Sequence, residues 1–346
     1  MKYIKQFDGL RALAVIAVIV HHWSPEGIYM EEFLHLGAYG VDLFFVLSGF
    51  LITTILIKQN EKKESFWSSY KTFVIRRSLR IFPVYFIFII LFFLLLPEQT
   101  LATKLAAYLY QFNWYLWFTN KDAIIYLRHI WSLSAEEQFY IVWPILILCL
   151  RLKNGLKYTT IVAFSSIFIV TVTYIVTSRM SMEFGEIKFL PFHSFIALSL
   201  GGILAFLKHG NISIHYHGRI LLVLIVLFTV FHQSNFLFPN FVGKSLFRTV
   251  VPLVPLMCFL IIDMSYNGFT GIIKKILENK QLVFLGKISY GLYLYHMVIP
   301  FFVKKFNFAT PLLNLLVGIL LLILVTITSY YLVEKPINNL KRKFSY

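Results

Sequence analysis

The stretch FDGLRALAVIAVIVHHW, from Phe7 to Trp23, joins an apolar centre to ionisable ends. Residues 12–20 carry no polar side chain and belong in a lipid bilayer. Arg11 and His22 are eleven residues apart, so on a helix they differ by only about 20° in direction and by about 16 Å along the axis. Ionisable side chains inside a membrane usually face the interior of a bundle and mark a functional site. We therefore predict a membrane helix that carries part of a site.

Other features of this helix separate the functional interpretation from simpler ones. Asp8 lies about 60° from Arg11 on the same stripe, whereas His21 faces about 80° away from it. Two lysines precede the helix and resemble the charged region of a signal peptide, but no small-residue cleavage site follows. A snorkelling anchor would explain one arginine, but not an arginine and a histidine on one face.

The composition of the whole chain is typical of a polytopic membrane protein. Its 346 residues are 58% hydrophobic and only 14% charged, outside the range of soluble domains. The net charge of +16 is spread between apolar runs and not gathered in one region, so no nucleic-acid partner is expected. Cys149 and Cys258 both lie in apolar segments and indicate neither a disulfide framework nor a metal site.

Apolar runs of about 20 residues predict an all-α bundle of about ten transmembrane spans. The segment 101–119 is also apolar, but Lys104, Gln111 and Asn113 interrupt it, so we expect it to be interfacial or re-entrant. We expect residues 1–346 to form a single integral membrane domain with no fused extracellular domain. The predicted spans are 8–23, 39–57, 79–97, 129–150, 157–177, 190–207, 219–235, 248–264, 283–303 and 310–333.

The distribution of lysine and arginine predicts the orientation. If the N-terminus is cytoplasmic, twenty-one of the 32 basic residues fall in inner segments and nine in outer ones. Positive charge is enriched on the cytoplasmic side of membrane proteins. Both termini are therefore expected to be cytoplasmic.

The second span reads GVDLFFVLSGFLI over residues 40–52. Asp42 lies near its outer end, close in depth to His22, so a role beside that histidine is a candidate. Ser48 and Gly49 lie near mid-membrane, where small residues allow helices to approach closely. Helix packing is the simpler interpretation of these two.

The inner loop that follows ends in FVIRRSLRIFPVYF, residues 73–86. Arg76, Arg77 and Arg80 stand at the inner end of the third span, and Arg77 and Arg80 share one helical face. They could follow the positive-inside rule or bind anionic lipid heads. They could equally bind the phosphates of a cytosolic ligand, because the guanidinium fork matches phosphate oxygens.

The segment HIWSLSAEEQFYIVWP, residues 129–144, opens the fourth span. Its aromatic residues fit an interfacial belt. Ser134 and Glu137 have the spacing of a helix-capping box. That interpretation leaves Glu136 unexplained, and a second carboxylate at an apolar boundary is a candidate for function.

Six motifs in order, from Phe7 to Pro336, resemble the acyltransferase-3 family of integral membrane O-acyltransferases. The resemblance implies transfer of an acyl group, usually acetyl from acetyl-CoA, to a carbohydrate hydroxyl at or beyond the outer face of a bacterial cytoplasmic membrane. Ala135 departs from the valine that is frequent in the family. The motifs are RALAV with the later histidine, GVDLFFVLSGFLI, RRSLRIFPVY, HIWSLSAEEQFYIVWP, GKISYGLYLYH (286–296) and YYLVEKP (330–336).

By position, the resemblance implies Arg11, His22 and Glu136 as functional residues and Arg77 with Arg80 as the paired arginines. With Asp42 added from the residues themselves, the expected catalytic groups are His22, Glu136, Arg11 and Asp42. The expected acyl-CoA-binding groups are Arg77 and Arg80. We expect no metal and no cofactor beyond acetyl-CoA as co-substrate, and we expect a carbohydrate acceptor and membrane lipids as partners.

The predicted depths suggest two tiers. Arg11, Arg77 and Arg80 lie near the inner face, and His22, Asp42, Glu136 and His296 lie towards the outer one. Histidine suits a general base because its pKa is near neutral, and a nearby carboxylate would fix its tautomer. No GxSxG motif supports a covalent serine. A proton-coupled transporter is the alternative, disfavoured because no repeated halves are visible.

Overall fold

The computed structural model describes residues 3–23, 36–62, 65–119, 125–149, 152–179, 186–237, 253–306 and 310–344. Over these ranges the chain is helical and contains no strand, which confirms the all-α prediction. A π-helix, Tyr330–Glu334, follows the last long helix. The α-helices are α1 Lys5–Trp23, α2 Gly40–Glu61, α3 Phe66–Leu95, α4 Leu101–Tyr108, α5 Phe112–Thr119, α6 Ile130–Cys149, α7 Leu152–Arg179, α8 Pro191–His209, α9 His217–Leu237, α10 Leu253–Asn267, α11 Gly271–Leu277, α12 Lys280–Lys287, α13 Ser289–Tyr295, α14 Ile299–Lys305, α15 Pro311–Ser329 and α16 Lys335–Leu340.

Within the described ranges, five helices are long and apolar enough to cross a membrane, fewer than the ten predicted spans. A sixth is added if α10 and α11, which meet at 94°, count as one broken span. Helices α1 and α6 are not among the five. Both carry the polar residues that the sequence singled out, and those residues lower the mean hydropathy of their helices. Part of the predicted span 248–264 lies outside the described residues.

The predicted span 283–303 is not one continuous helix. It is divided into α12, α13 and α14, with breaks at Ile288 and between Tyr295 and Ile299. The apolar run conceals these breaks because hydropathy does not report backbone direction, whereas Gly286 and Pro300 weaken helix continuity. His296 therefore lies in the turn between α13 and α14 and not within a regular span.

The segment 101–119 also differs from a regular span. Helices α4 and α5 meet at Tyr110, whose φ of 52° lies in the left-handed region. The ring of Tyr110 stacks on that of Tyr85 with 4.2 Å between centroids, and the Tyr85 hydroxyl donates to the Ala107 carbonyl at 2.8 Å. These contacts hold a strained backbone in place and fix the tip of the α4–α5 hairpin against the middle of α3.

Two close helix approaches depend on glycine. A Cβ at Gly49 would lie 1.9 Å from the Leu198 carbonyl oxygen, so α2 and α8 touch through their backbones. This contact confirms the packing interpretation of Gly49. A Cβ at Gly286 would lie 1.9 Å from the Asp8 carbonyl oxygen, so α12 lies equally close to α1.

The apolar core has two parts. One cluster is built around α3, the α4–α5 hairpin and α13–α15, and the other around α2, α6, α8 and α10. Val41, Phe82, Trp131 and Tyr290 pack against both clusters. The cavities described next lie along this boundary.

Candidate active site

A first cavity of about 90 Å³ lies between α2, α3, α6 and α13, with Arg11 of α1 at its wall. It contains basic, acidic and hydroxyl groups together. Such a set is unusual inside an apolar bundle and marks a candidate site. The polar lining residues are Arg11, Ser48, Arg77, Arg80, Ser132, Glu136, Glu137, Tyr140, Ser289, Tyr290 and Tyr293.

The arginines of this cavity differ in their bonding. The Arg11 guanidinium contacts the Asp8 carboxylate at 2.6 Å, and the Tyr3 hydroxyl donates to the same carboxylate at 2.5 Å. Arg77 lies over the rings of Phe73 and Tyr140 at 5.8 and 5.2 Å. Among the described residues, its guanidinium makes no hydrogen bond or ion pair.

Arg80 likewise makes no hydrogen bond or ion pair with any residue that the structure describes. Fifteen residues separate it from Leu95 at the end of α3, a rise of about 22 Å, or roughly three quarters of a hydrocarbon core. Arg76 behaves differently, since it donates to the backbone carbonyls of Lys341, at 2.9 Å, and Phe344. The three arginines of the motif therefore divide into one structural residue and two that face the cavity.

Glu136 is held in the first cavity by two hydroxyl groups. The Ser48 and Tyr140 hydroxyls both donate to its carboxylate. The structure thus brings Glu136 together with Arg77 and Arg80, and not with His22, which does not line this cavity. Sequence reasoning assigned Ser48 to packing. The spacing of Ser48 and Tyr140 on two helices gave no signal that they would meet.

The capping-box interpretation of Ser134 and Glu137 is wrong. Helix α6 begins at Ile130, so Ser134 lies within the helix. The Ser134 hydroxyl donates to the Ile130 carbonyl at 3.1 Å and accepts from the Phe112 amide at 3.3 Å. Glu137 is buried and its Oε1 has no hydrogen-bond partner among the described residues. A motif read from spacing failed here because the helix starts one turn earlier than assumed.

Four histidines form a separate cluster beside the first cavity. The ring centroid of His22 lies 4.8 Å from that of His21 and 5.0 Å from that of His296. The rings of His296 and His129 are 5.1 Å apart. His22 is exposed, whereas His296 and His129 are buried. No group of histidine, cysteine, aspartate or glutamate suited to a metal ion occurs in the described part of the chain.

The hydrogen bonds of this cluster define the His22 tautomer. His296 Nδ1 lies 2.6 Å from the Tyr293 carbonyl, which can only accept, so Nδ1 carries the proton and Nε2 of the neutral ring accepts. His22 Nδ1 lies 3.2 Å from that Nε2 and 3.0 Å from the Val18 carbonyl. It must therefore be protonated, and its own Nε2 retains the lone pair. A carboxylate was expected to fix this tautomer, but His296 and a backbone carbonyl do so.

Tyr293 connects the cluster to the first cavity. Its hydroxyl donates to the His129 carbonyl at 3.1 Å and lies 2.6 Å from the Ser132 hydroxyl. Its ring centroid is 5.4 Å from that of His296. Because Tyr293 and Ser132 line the first cavity, one layer of side chains separates the arginines and Glu136 from the histidines.

Asp42 is not brought to His22. Its carboxylate makes no hydrogen bond or ion pair with a described residue, and its electrostatic neighbours are Tyr39 and Cys258. The prediction rested on equal depth in the membrane. Depth does not specify which side of α2 faces α1, and Asp42 lies on another side.

Comparison with known proteins matches residues 4–334 to an acyltransferase domain. The O-acetyltransferase OatA of Staphylococcus aureus strain NCTC 8325 is 30% identical over 375 residues, covering 98% of this chain and 58% of that protein. The protein of the same name from strain COL gives the same values. A further protein of strain COL, provisionally named an O-acetyltransferase, is 30% identical over 370 residues, covering 97% of this chain and 57% of its own. The chain thus spans less than two thirds of these relatives. No solved structure matches it.

Proposed function

The chain belongs to the family defined by this acyltransferase domain, and on that premise we propose that it transfers an acetyl group from cytosolic acetyl-CoA to a hydroxyl of a surface or lipid-linked polysaccharide. It is a multi-pass membrane protein. One observation carries the proposal. Arg77 and Arg80 line a cavity inside the bundle beside the carboxylate of Glu136, and neither forms a hydrogen bond or ion pair with a residue that the structure describes.

The donor end of the proposal follows from the position of two guanidinium groups at one cavity. Arg77 is half-buried and Arg80 is exposed, and two like charges side by side favour an anion that contacts both. Neither guanidinium forms a hydrogen bond or ion pair with a described residue, so an anionic ligand would supply acceptors to both. The phosphates of acetyl-CoA match the forked donors of arginine. The distribution of basic residues predicts that both termini are cytoplasmic, and in that orientation these arginines would lie towards the cytosolic donor.

The acceptor end of the proposal rests on His22. Its Nε2 has a free lone pair and its side chain is exposed, so an acceptor hydroxyl can reach it. In the proposed step the hydroxyl proton moves to His22 Nε2 and the oxygen forms a bond to the thioester carbonyl carbon. The carbon–sulfur bond breaks and coenzyme A leaves as the thiolate.

Glu136 is proposed to act on the donor side of the step. Its position among the arginines suits it to orient their guanidinium groups around the donor phosphates, with Ser48 and Tyr140 holding the carboxylate in place. We propose no role for Asp42 in the reaction, because its carboxylate makes no contact with His22.

The function is tested by reconstituting the purified protein in lipid vesicles with radiolabelled acetyl-CoA and a polysaccharide fraction from its own host. Acetyl label in the polysaccharide, confirmed by mass spectrometry of glycans from cells with and without the protein, is the expected result. Absence of both acetyl-CoA binding and glycan acetylation would reject the proposal.

Replacing Glu136 with glutamine should lower transfer by about a hundredfold or more, because Gln keeps the shape but not the charge that faces the arginines. Initial rates at saturating acetyl-CoA measure the effect. Glu98→Gln, at an exposed position, is the matched control and should retain full activity. Wild-type rates for Glu136→Gln would show that the carboxylate charge is not used.

The His22 tautomer leads to a prediction for His296. Replacement by glutamine keeps an acceptor near the position of Nε2 and should retain most of the activity. Replacement by methionine removes the acceptor and should lower kcat roughly ten- to a hundredfold, with KM for acetyl-CoA unchanged. Equal losses from both variants would indicate that His296 acts through packing alone.

A further inference from the structure

A second cavity, of about 130 Å³, lies on the other side of Arg77 from the first. It is enclosed by α3, the tip of the α4–α5 hairpin and α6. The two cavities share Arg77, Glu137 and Tyr140, so they adjoin at these three side chains. The other lining residues of the second cavity are Phe73, Val74, Ser78, Phe82, Leu109, Tyr110, Gln111, Gln138 and Ile141.

Two residues that line this cavity each have a buried polar atom without a hydrogen-bond partner among the described residues. They are the Tyr110 hydroxyl and Glu137 Oε1. Tyr110 is only 7% exposed and Glu137 only 8%. A buried polar group without a partner is costly, and native structures rarely tolerate one without a reason. These two atoms indicate a ligand that offers a donor to the carboxylate and an acceptor to the phenol.

The walls of the cavity restrict the shape of that ligand. The rings of Phe73, Phe82 and Tyr140 line it, and Tyr110 is held in position by stacking on Tyr85. Aromatic walls bind a flat heteroaromatic ring by stacking.

We propose that the second cavity binds the adenine base of the acetyl-CoA donor, an inference that rests on the proposed function. The exocyclic amine of adenine would donate to Glu137 Oε1, and the Tyr110 hydroxyl would donate to a ring nitrogen. The order of the groups then follows the order of the donor molecule. The base lies in the second cavity, the phosphates contact Arg77 and Arg80, and the pantetheine arm runs along the first cavity towards Tyr293 and the histidines.

Calorimetric titration of the full-length protein with two probes tests this assignment. The probes are coenzyme A and its analogue with hypoxanthine in place of adenine, which has a 6-oxo group instead of the amine. Wild-type protein should bind coenzyme A at least fivefold more tightly than the analogue. In Glu137→Gln the preference should disappear or reverse, because the glutamine amide can donate to the 6-oxo group.

The phenol is tested by Tyr110→Phe, which removes one oxygen atom and should weaken coenzyme A binding about fivefold. Tyr108→Phe is the matched control, since Tyr108 lies on the same hairpin and lines neither cavity. Thermal unfolding in detergent shows whether each variant is folded, and only folded variants are compared.

The possible failures are distinguishable. Equal affinity of wild-type protein for coenzyme A and its hypoxanthine analogue would overturn the adenine assignment and leave the donor assignment in place. An unchanged preference for adenine in Glu137→Gln would also overturn it. No binding of coenzyme A by wild-type protein would overturn both the adenine site and the proposed function.

Discussion

Replacing His22 with alanine is expected to lower acyl transfer by about a hundred- to ten-thousandfold, the usual cost of losing a positioned general base. That loss corresponds to roughly 3 to 5 kcal/mol of activation free energy. Acetyl-CoA binding should be unchanged, because the arginines that would hold the donor lie in the first cavity and His22 does not. Glycan acetylation and donor affinity, measured at matched membrane levels, give the two readouts.

The neighbouring His21 provides the control. His21 is the same residue type one position away. The hydrogen bond to His296 is made by His22 and not by His21. His21→Ala should retain most of the activity, with a modest loss because its ring contacts that of His22. Robust transfer by His22→Ala would remove the general base, and the proposed step with it.

Replacing Arg77 and Arg80 together with alanine is expected to weaken acetyl-CoA binding by about 2 to 4 kcal/mol, or roughly thirty- to a thousandfold. Each guanidinium would otherwise contribute one charge-assisted contact to phosphate, discounted for exposure. Because no described residue bonds to either group, the loss should appear in donor affinity and not in folding. Binding titration and thermal unfolding of the same sample separate the two effects.

Arg76→Ala distinguishes phosphate binding from the general effect of positive charge at the inner face. It removes the same charge from the same turn of α3, but its guanidinium bonds the backbone carbonyls of Lys341 and Phe344. We expect stability to fall and donor affinity to remain. If Arg76→Ala weakens binding as much as the double variant, all three arginines serve topology or lipid contact instead.

Periodicity along a single helix was the most reliable information in the sequence. The stripe of Asp8, Arg11 and His22 required only the geometry of one helix, and the Arg11–Asp8 ion pair follows from it directly. The pairing of Arg77 with Arg80 on one face of α3 is of the same kind. The roles of these residues remain predictions, but their grouping was accessible because it is local.

Contacts between different helices could not be predicted from the periodicity of any one of them. Equal depth suggested that Asp42 would meet His22, but rotation of α2 about its axis depends on packing that no local pattern encodes. The contacts of Glu136 with Ser48, and of His22 with His296, join residues 88 and 274 positions apart. Hydropathy also concealed the division of residues 283–303, because three short helices and one long one can have the same composition.

Gly9 and Gly286 each touch the backbone of a neighbouring helix, and these contacts limit which amino acids the two positions can hold. Every other amino acid has a Cβ, and that atom would lie 2.3 Å from the Leu277 carbonyl oxygen of α11 at Gly9 and 1.9 Å from the Asp8 carbonyl oxygen of α1 at Gly286. Even replacement of either glycine by alanine would therefore push the neighbouring helices apart, because the Cβ would meet rigid backbone and not a flexible side chain. His22 lies in the last turn of α1 and the chain leads from Gly286 to His296, so a substitution at either glycine would also disturb the hydrogen bond between the two histidines.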